Sequence, residues 1–188
     1  MKRAILFSTL LALVLSACGG SSDAGQGGTR TYTYPSESME PTIAYNEQVT
    51  VDLDAYRKAK PAIGDIVAFH LPGGGETTEC GVEHPASQSC PKAITGPSSG
   101  IFIKRIVAGP GDKISFREGL PIVDGRAVFA QDVQKCGPED PAELCDLPTP
   151  ITVLAGQYFV IGDNSGASLD SRLSGPVPLA AIFGEVRP

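Results

Sequence analysis

From residue 30 onward, this chain is cut into short runs of β-branched and aromatic residues, each closed by a Gly, Pro or Asp-rich turn within a few positions. That punctuation constrains the fold more than any other feature. Runs of this length are too short for stable helices but suit strands of ordinary size. The chain contains 22 glycines and 16 prolines, which favour strands and turns over helices. The alternating or wholly apolar runs fall at Arg30 to Tyr34, Val49 to Leu53, Ile66 to His70, Ile101 to Val107, Lys113 to Phe116 and Gln157 to Ile161. A last short element is expected over Ala180 to Val186. Pro121 to Val128 reads as a hairpin with Asp124-Gly125 as its two-residue turn. Two stretches, about 71–99 and about 130–150, hold cysteines, glycines and prolines without apolar period and read as loop insertions. The expectation is an all-β or β-rich domain.

At 188 residues there is room for one domain with insertions, but two would be cramped. Residues 1–17 have the layout of a secretory signal: Lys2-Arg3, an apolar stretch from Ala4 to Leu15, then small residues. The apolar part is short for a membrane span. Leu15-Ser16-Ala17-Cys18 resembles the lipobox of bacterial lipoproteins, which would make Cys18 a lipid-modified first residue; an ordinary cleaved signal or a short uncleaved anchor is the alternative. Residues 18–29, rich in Gly and Ser, would then be a flexible tether, and 30–188 the folded domain. Net charge is −6, and losing Lys2 and Arg3 with the signal takes it to −8, which argues against a nucleic-acid partner.

Setting Cys18 aside, Cys80, Cys90, Cys136 and Cys145 form an even set in a chain bound for an oxidising compartment. Three pairings are possible. Near-neighbour pairing, Cys80 with Cys90 and Cys136 with Cys145, would staple the two insertions. The spacing is wider than the tight pairs of a zinc site, so no metal is expected.

The chain has only two histidines, His70 and His84, both in or beside the first insertion, which makes a Ser-His-Asp enzyme a poor fit. Ser38 and Lys104 offer the same acyl-transfer chemistry as a dyad. A serine hydroxyl needs a base within reach, and a lysine serves only when its neutral form is favoured. Phe102, Ile103, Ile106 and Val107 provide apolar sequence context around Lys104, against the plain reading of a strand-end surface lysine. Ser36 reads either as a local turn residue or, with the Ser38 N–H, as an oxyanion donor pair. Met39 and Pro41 would shape the floor of such a site. In the turn after Gln157 to Ile161, Asp170 and Arg172 can form a bidentate pair, and Ser168 can orient a neutral amine.

At these residues the chain resembles the bacterial type I signal peptidases. The match rests on Ser-Met-x-Pro-Thr at 38–42, Gly-Asp-Ile-Val at 64–67, Lys104-Arg105 followed by Gly109-Pro110-Gly111-Asp112, and Gly-Asp-Asn-x-x-x-Ser-x-Asp-Ser-Arg at 162–172, in that order. The resemblance implies folded antiparallel sheets around a Ser-Lys site. It assigns Ser38 as nucleophile, Lys104 as general base, Ser36 with the Ser38 N–H as oxyanion hole, and Ser168 as the hydroxyl positioning Lys104. Gly162, Asp170 and Arg172 fall on supporting positions. Ser165 stands where the family usually has arginine, and Glu37 where glycine is common.

The implied activity is a cofactor-free serine endopeptidase that removes signal peptides from exported precursors after Ala-x-Ala-type sites. The precursor would bind as an added strand, with Ile43, Ile66, Phe69 and Ile103 either lining its pockets or filling the core. The expected setting is a monomer held at a membrane by Cys18 on the extracytoplasmic side. Two alternatives share these residues: a dedicated peptidase maturing one client such as a conjugative pilin, and a non-catalytic descendant that binds exported peptides. A self-cleaving repressor is disfavoured by the export signal and the absence of a basic DNA-binding segment.

Overall fold

A computed structural model describes residues 28–71, 80–93 and 100–187. The signal segment, Cys18 and nearly all of the tether lie outside these residues, as does part of the first insertion. No helix among the described residues is long and apolar enough to cross a membrane.

Alternation in Glu47–Asp52 (β2) buries Val49 and Val51 and turns Gln48 outward. β2 pairs antiparallel with Thr29–Tyr34 (β1), from Thr29 opposite Asp52 to Tyr34 opposite Glu47. Ile66–His70 (β3) and Ile101–Ala108 (β4) are buried along most of their length. Such strands sit inside a sheet with both faces covered, and here they do.

Adding Gln157–Ile161 (β9), Val177–Pro178 (β10) and Ile182–Arg187 (β11), the large sheet runs β1-β2-β11-β3-β4-β9-β10. A smaller sheet runs β7-β6-β5-β8, from Lys113–Arg117 (β5), Leu120–Val123 (β6), Arg126–Ala127 (β7) and Ile151–Thr152 (β8). Every pairing between these strands is antiparallel. The β6–β7 turn falls at Asp124-Gly125, with φ of 48° and 80°, the left-handed pair that a tight hairpin requires.

The protein is thus β-rich, as its punctuation implies. The core has three parts. Met39, Ile43, Val49 and Ile103 pack on one side of the large sheet, and Phe69, Ile106 and Val160 form a second group. Phe116, Phe159 and Ile161 join the two sheets.

The second insertion holds more structure than a loop. Ala142–Cys145 (α1) is one helical turn, and β8 pairs with β5. Neither is long enough to carry a period. In the first insertion, the described residues 80–93 contain no regular helix or strand. Disulfides join Cys80 to Cys90 and Cys136 to Cys145, the near-neighbour pairing. Closing loops of this size stabilises by about 2–3 kcal/mol each.

Candidate active site

Lys104 and Arg105 are charged residues inside an interior strand of a sheet, where burial is costly unless each side chain finds a partner. Neighbouring strand residues point to opposite faces, so the two find different partners. Lys104 is 4% exposed, and its Nζ lies 2.6 Å from Ser38 Oγ. Among the described residues no carboxylate lies within ion-pair distance of it.

Ser38 is 3% exposed and sits on the turn leaving β1. Two fully buried side chains, Met39 and Ile43, pin that turn to the core, and the Ile43 N–H donates to the Met39 carbonyl. The Ser38 carbonyl accepts from the Asn164 N–H at 3.1 Å, which ties the turn to the 162–172 segment.

Ser36 Oγ accepts from the Ser38 N–H and donates to Ser38 Oγ, each at 3.2 Å. The two groups expected to bind an oxyanion are therefore bonded to each other. Glu37 is exposed, and only its carbonyl takes part, accepting from the Glu40 N–H and from Asn164 Nδ2. A side chain at this position does not crowd the turn.

Register brings the third segment alongside. β4 pairs with β9 from Arg105 opposite Ile161, so one step further Gly162 falls opposite Lys104. A Cβ at Gly162 would overlap the Ser38 carbonyl oxygen and Ser168 Oγ, so only glycine lets the segment approach this closely. Ser168 Oγ, fully buried, donates to Asp170 Oδ2 at 2.7 Å. The only hydrogen bond Lys104 Nζ makes among the described residues is to Ser38.

Asp170 is the hub of this segment. It accepts from the Gly162 N–H at 3.0 Å and caps the helical turn Ser171–Ser174 (α2) through the Arg172 N–H. It also takes both arms of the fully buried Arg172 guanidinium, each at 2.8 Å. Burial alone would raise its carboxyl pKa. The Arg172 charge and the hydrogen bonds from Arg172, Ser168 and Gly162 outweigh burial and hold it below the usual value. Arg172 further donates to the carbonyls of Ser165, Ser168 and Leu144. Ser165, fully buried, bonds the Gly119 carbonyl at 2.8 Å and packs where a Gly119 side chain would collide with it.

A second buried pair was not legible as such in the sequence. Arg105 grips Asp163 with two bonds, at 2.8 and 2.7 Å, and Thr42 also donates to Asp163. Burial lowers the Arg105 pKa, but the bond to Asp163 and its charge more than reverse this. The pair joins residues from three of the four motifs. Its available signal was an Arg and an Asp of opposite charge in apolar strand contexts.

Tyr34 was also missed. Its hydroxyl lies 2.7 Å from Ser38 Oγ. The pointer was alternation in β1, which puts Tyr34 on the buried face at the strand end nearest Ser38.

A groove of about 360 Å³ opens over Ser38 and Lys104, walled by Tyr32, Tyr34, Phe102, Ile103 and Leu169. Of the four pocket-wall candidates, Ile103 borders it, whereas Ile43, Ile66 and Phe69 are core residues. Among the described residues, one cluster has metal-ligand spacing, Cys136, Asp140 and Cys145, with ligand atoms within 4.8 Å of one another. Its two sulfurs are already joined to each other.

Comparison with known proteins places the chain. It is 32% identical over 153 residues to thylakoidal processing peptidase 1, chloroplastic, of Arabidopsis thaliana, covering 80% of this chain and 38% of that protein. It is 28% identical over 155 residues to signal peptidase I of Leptolyngbya laminosa, covering 80% and 63%. Against the relatives from Arabidopsis thaliana, Synechocystis and Leptolyngbya laminosa, the chain spans 35% to 65% of their length. A crystal structure of a signal peptidase I from Enterococcus faecalis V583 aligns with a TM-score of 0.44 at 23% identity, covering 68% of this chain and 97% of that one. Residues 7–188 match the family described as signal peptidase, peptidase S26, a span that takes in every segment meeting at Ser38, and the chain belongs to that family.

Proposed function

We propose that this protein is a serine endopeptidase that removes signal peptides from exported precursors, with Ser38 as nucleophile and Lys104 as general base. One observation carries the reading: a buried amine with no carboxylate partner among the described residues lies 2.6 Å from a buried serine hydroxyl at the floor of an open groove. Serine needs a base within hydrogen-bond reach, and an amine can serve only when neutral.

In the proposed reaction Ser38 Oγ attacks the scissile carbonyl carbon while its proton moves to Nζ. The peptide C–N bond then breaks, and the departing amine takes that proton from Lys104. Water, giving a proton to the Lys104 amine, then attacks the Ser38 ester; the bond from the acyl carbon to Oγ breaks, the acid leaves, and Nζ returns the proton to Ser38 Oγ. The Ser38 N–H and the Ser36 hydroxyl, bonded to each other at rest, turn to the carbonyl oxygen as it gains charge. Ser168 is the proposed orienting hydroxyl for Lys104, held near it by the close packing at Gly162.

The precursor is proposed to enter as a strand. Among the described residues β1 has a partner on one side only, and β9 pairs with β4 only from Arg105 onward, so residues 101–103 keep one edge open. These two open edges face the groove, where backbone bonds would fix register and small pockets would select Ala-x-Ala sites. Attachment through a lipid on Cys18, on the extracytoplasmic side of a membrane, completes the proposal.

The test is purified full-length protein in detergent with a precursor carrying an Ala-x-Ala site. Wild type should release a product whose N-terminus, read by mass spectrometry, follows the second Ala, and Ser38→Ala should release none. Folded wild type that leaves the precursor intact, or equal cleavage by Ser38→Ala, would overturn the assignment.

A further inference from the structure

Among the described residues Ser38 Oγ has three polar side-chain neighbours: Lys104 Nζ at 2.6 Å, Tyr34 Oη at 2.7 Å and Ser36 Oγ at 3.2 Å. A hydroxyl donates one hydrogen bond and accepts two, so all of its capacity is used. Ser36 donates into it. Of the bonds to Lys104 and Tyr34, one must then be a donation from Ser38 and the other an acceptance, and the charge on Lys104 decides which.

A charged amine can only donate. Ser38 then gives its proton to Tyr34 Oη, and the phenol proton points to the Ile103 carbonyl oxygen, 3.4 Å away. A neutral amine accepts the Ser38 proton instead. The phenol proton then leaves Ile103 and turns to Ser38 Oγ. The Ile103 bond, at the outer limit of hydrogen-bond length, is weak and readily given up.

We propose that Tyr34 is a further catalytic residue, a phenol whose proton swings between the Ile103 carbonyl and Ser38 Oγ in step with the protonation of Lys104. This rests on the peptidase reading. When Lys104 is neutral, the phenol donates to the serine oxygen as that oxygen loses its own proton to Nζ and attacks. The phenol keeps its proton throughout. A donor aimed at an atom that gains negative charge is worth more in the transition state than before it, which is the condition for speeding the chemical step.

Tyr34 is held firmly enough for this role. It is 7% exposed, packs with Met39, Ile43 and Ile103, and its carbonyl accepts from the Asn46 N–H at 2.8 Å.

The test compares wild type, Tyr34→Phe and a Tyr34→3-fluorotyrosine variant in the full-length chain. Each is assayed on p-nitrophenyl acetate, which needs the nucleophile but no peptide groove, and on an Ala-x-Ala peptide. Tyr34→Phe should lower kcat on the ester by about 10- to 100-fold, with KM within about twofold, because it loses a donor to a developing charge. Fluorotyrosine, whose phenol is a stronger donor, should restore kcat at a pH where that phenol stays protonated; a purely space-filling role would not track phenol acidity.

Tyr34→Phe within about twofold of wild type, or fluorotyrosine as slow as Phe, would overturn the proposal. Ester turnover that requires Ser38, shows the Tyr34 effect and comes without peptide cleavage would sustain the role of Tyr34 and overturn the signal-peptide reading. Loss of Ser38-dependent turnover on both substrates would overturn both.

Discussion

Lys104→Arg should lower kcat by at least about 10³-fold while leaving KM near the wild-type value, because removing one member of the proposed nucleophile–base unit removes most of what the unit does. Arginine keeps a positive charge and a similar reach, so the groove is little disturbed. What it loses is the ability to take up a proton from the serine, because a guanidinium does not act as a base in a protein. The geometry motivates this expectation: Nζ is buried and bonded to Ser38 Oγ, and the other described groups within hydrogen-bond reach of that hydroxyl are themselves hydroxyls. Single-turnover cleavage by the two proteins side by side is the measurement. Activity of Lys104→Arg within tenfold of wild type would mean that the base lies elsewhere.

The largest stability effect is expected at the Asp170–Arg172 pair. Both side chains are buried, and breaking such a pair from one side leaves the other charge uncompensated, at a cost of about 3–5 kcal/mol. Arg172→Met and Asp170→Asn should each lower stability on that scale. The double variant should cost less than the sum, since it leaves no orphan charge. Because the Asp170 carboxyl titrates below its ordinary value of 3.8, its contribution is complete above that pH and is lost as the pH falls toward its folded-state value. Asp170→Asn should remove this part of the acid sensitivity. Urea unfolding at neutral pH and at pH near 3 reads both effects. Wild-type stability in either single variant would show that the pair does not hold the 162–172 segment together.

That segment also marks the limit of what the residues disclose in one dimension. Strands β2, β3, β4 and β9 are legible because burial writes itself into their pattern: Val49 and Val51 alternate with polar neighbours, and Tyr158 to Ile161 is wholly apolar. Strands β8 and β10 have two residues each, too few for any pattern, and sheet pairing alone defines them, whereas the equally short β7 is announced by its Asp124-Gly125 turn. The Ser38–Lys104 proximity was inferred from residue type and motif order, although 66 positions separate the two. The bond from Ser168 to Asp170 was not. A buried hydroxyl two residues from a carboxylate makes the stronger, charge-assisted bond there, and only coordinates reveal which acceptor it takes. Tyr34 and the Arg105–Asp163 pair were hidden for another reason. The Arg105 partner lies on the far side of a strand pairing, so no local spacing announces it, and Tyr34 stands four residues from Ser38 in a strand whose alternation does not tell a core phenol from one aimed at the serine.

The central claim is that Ser38 becomes acylated with the help of Lys104, and trapping that ester tests it most directly. Full-length protein mixed with an activated ester of an Ala-x-Ala peptide and quenched in acid within the first turnover should gain the mass of one acyl group. Proteolytic mapping should place that group on Ser38, and the adduct should be missing in Ser38→Ala and strongly slowed in Lys104→Ala. An adduct on another residue, or one forming equally fast without Lys104, would contradict the account.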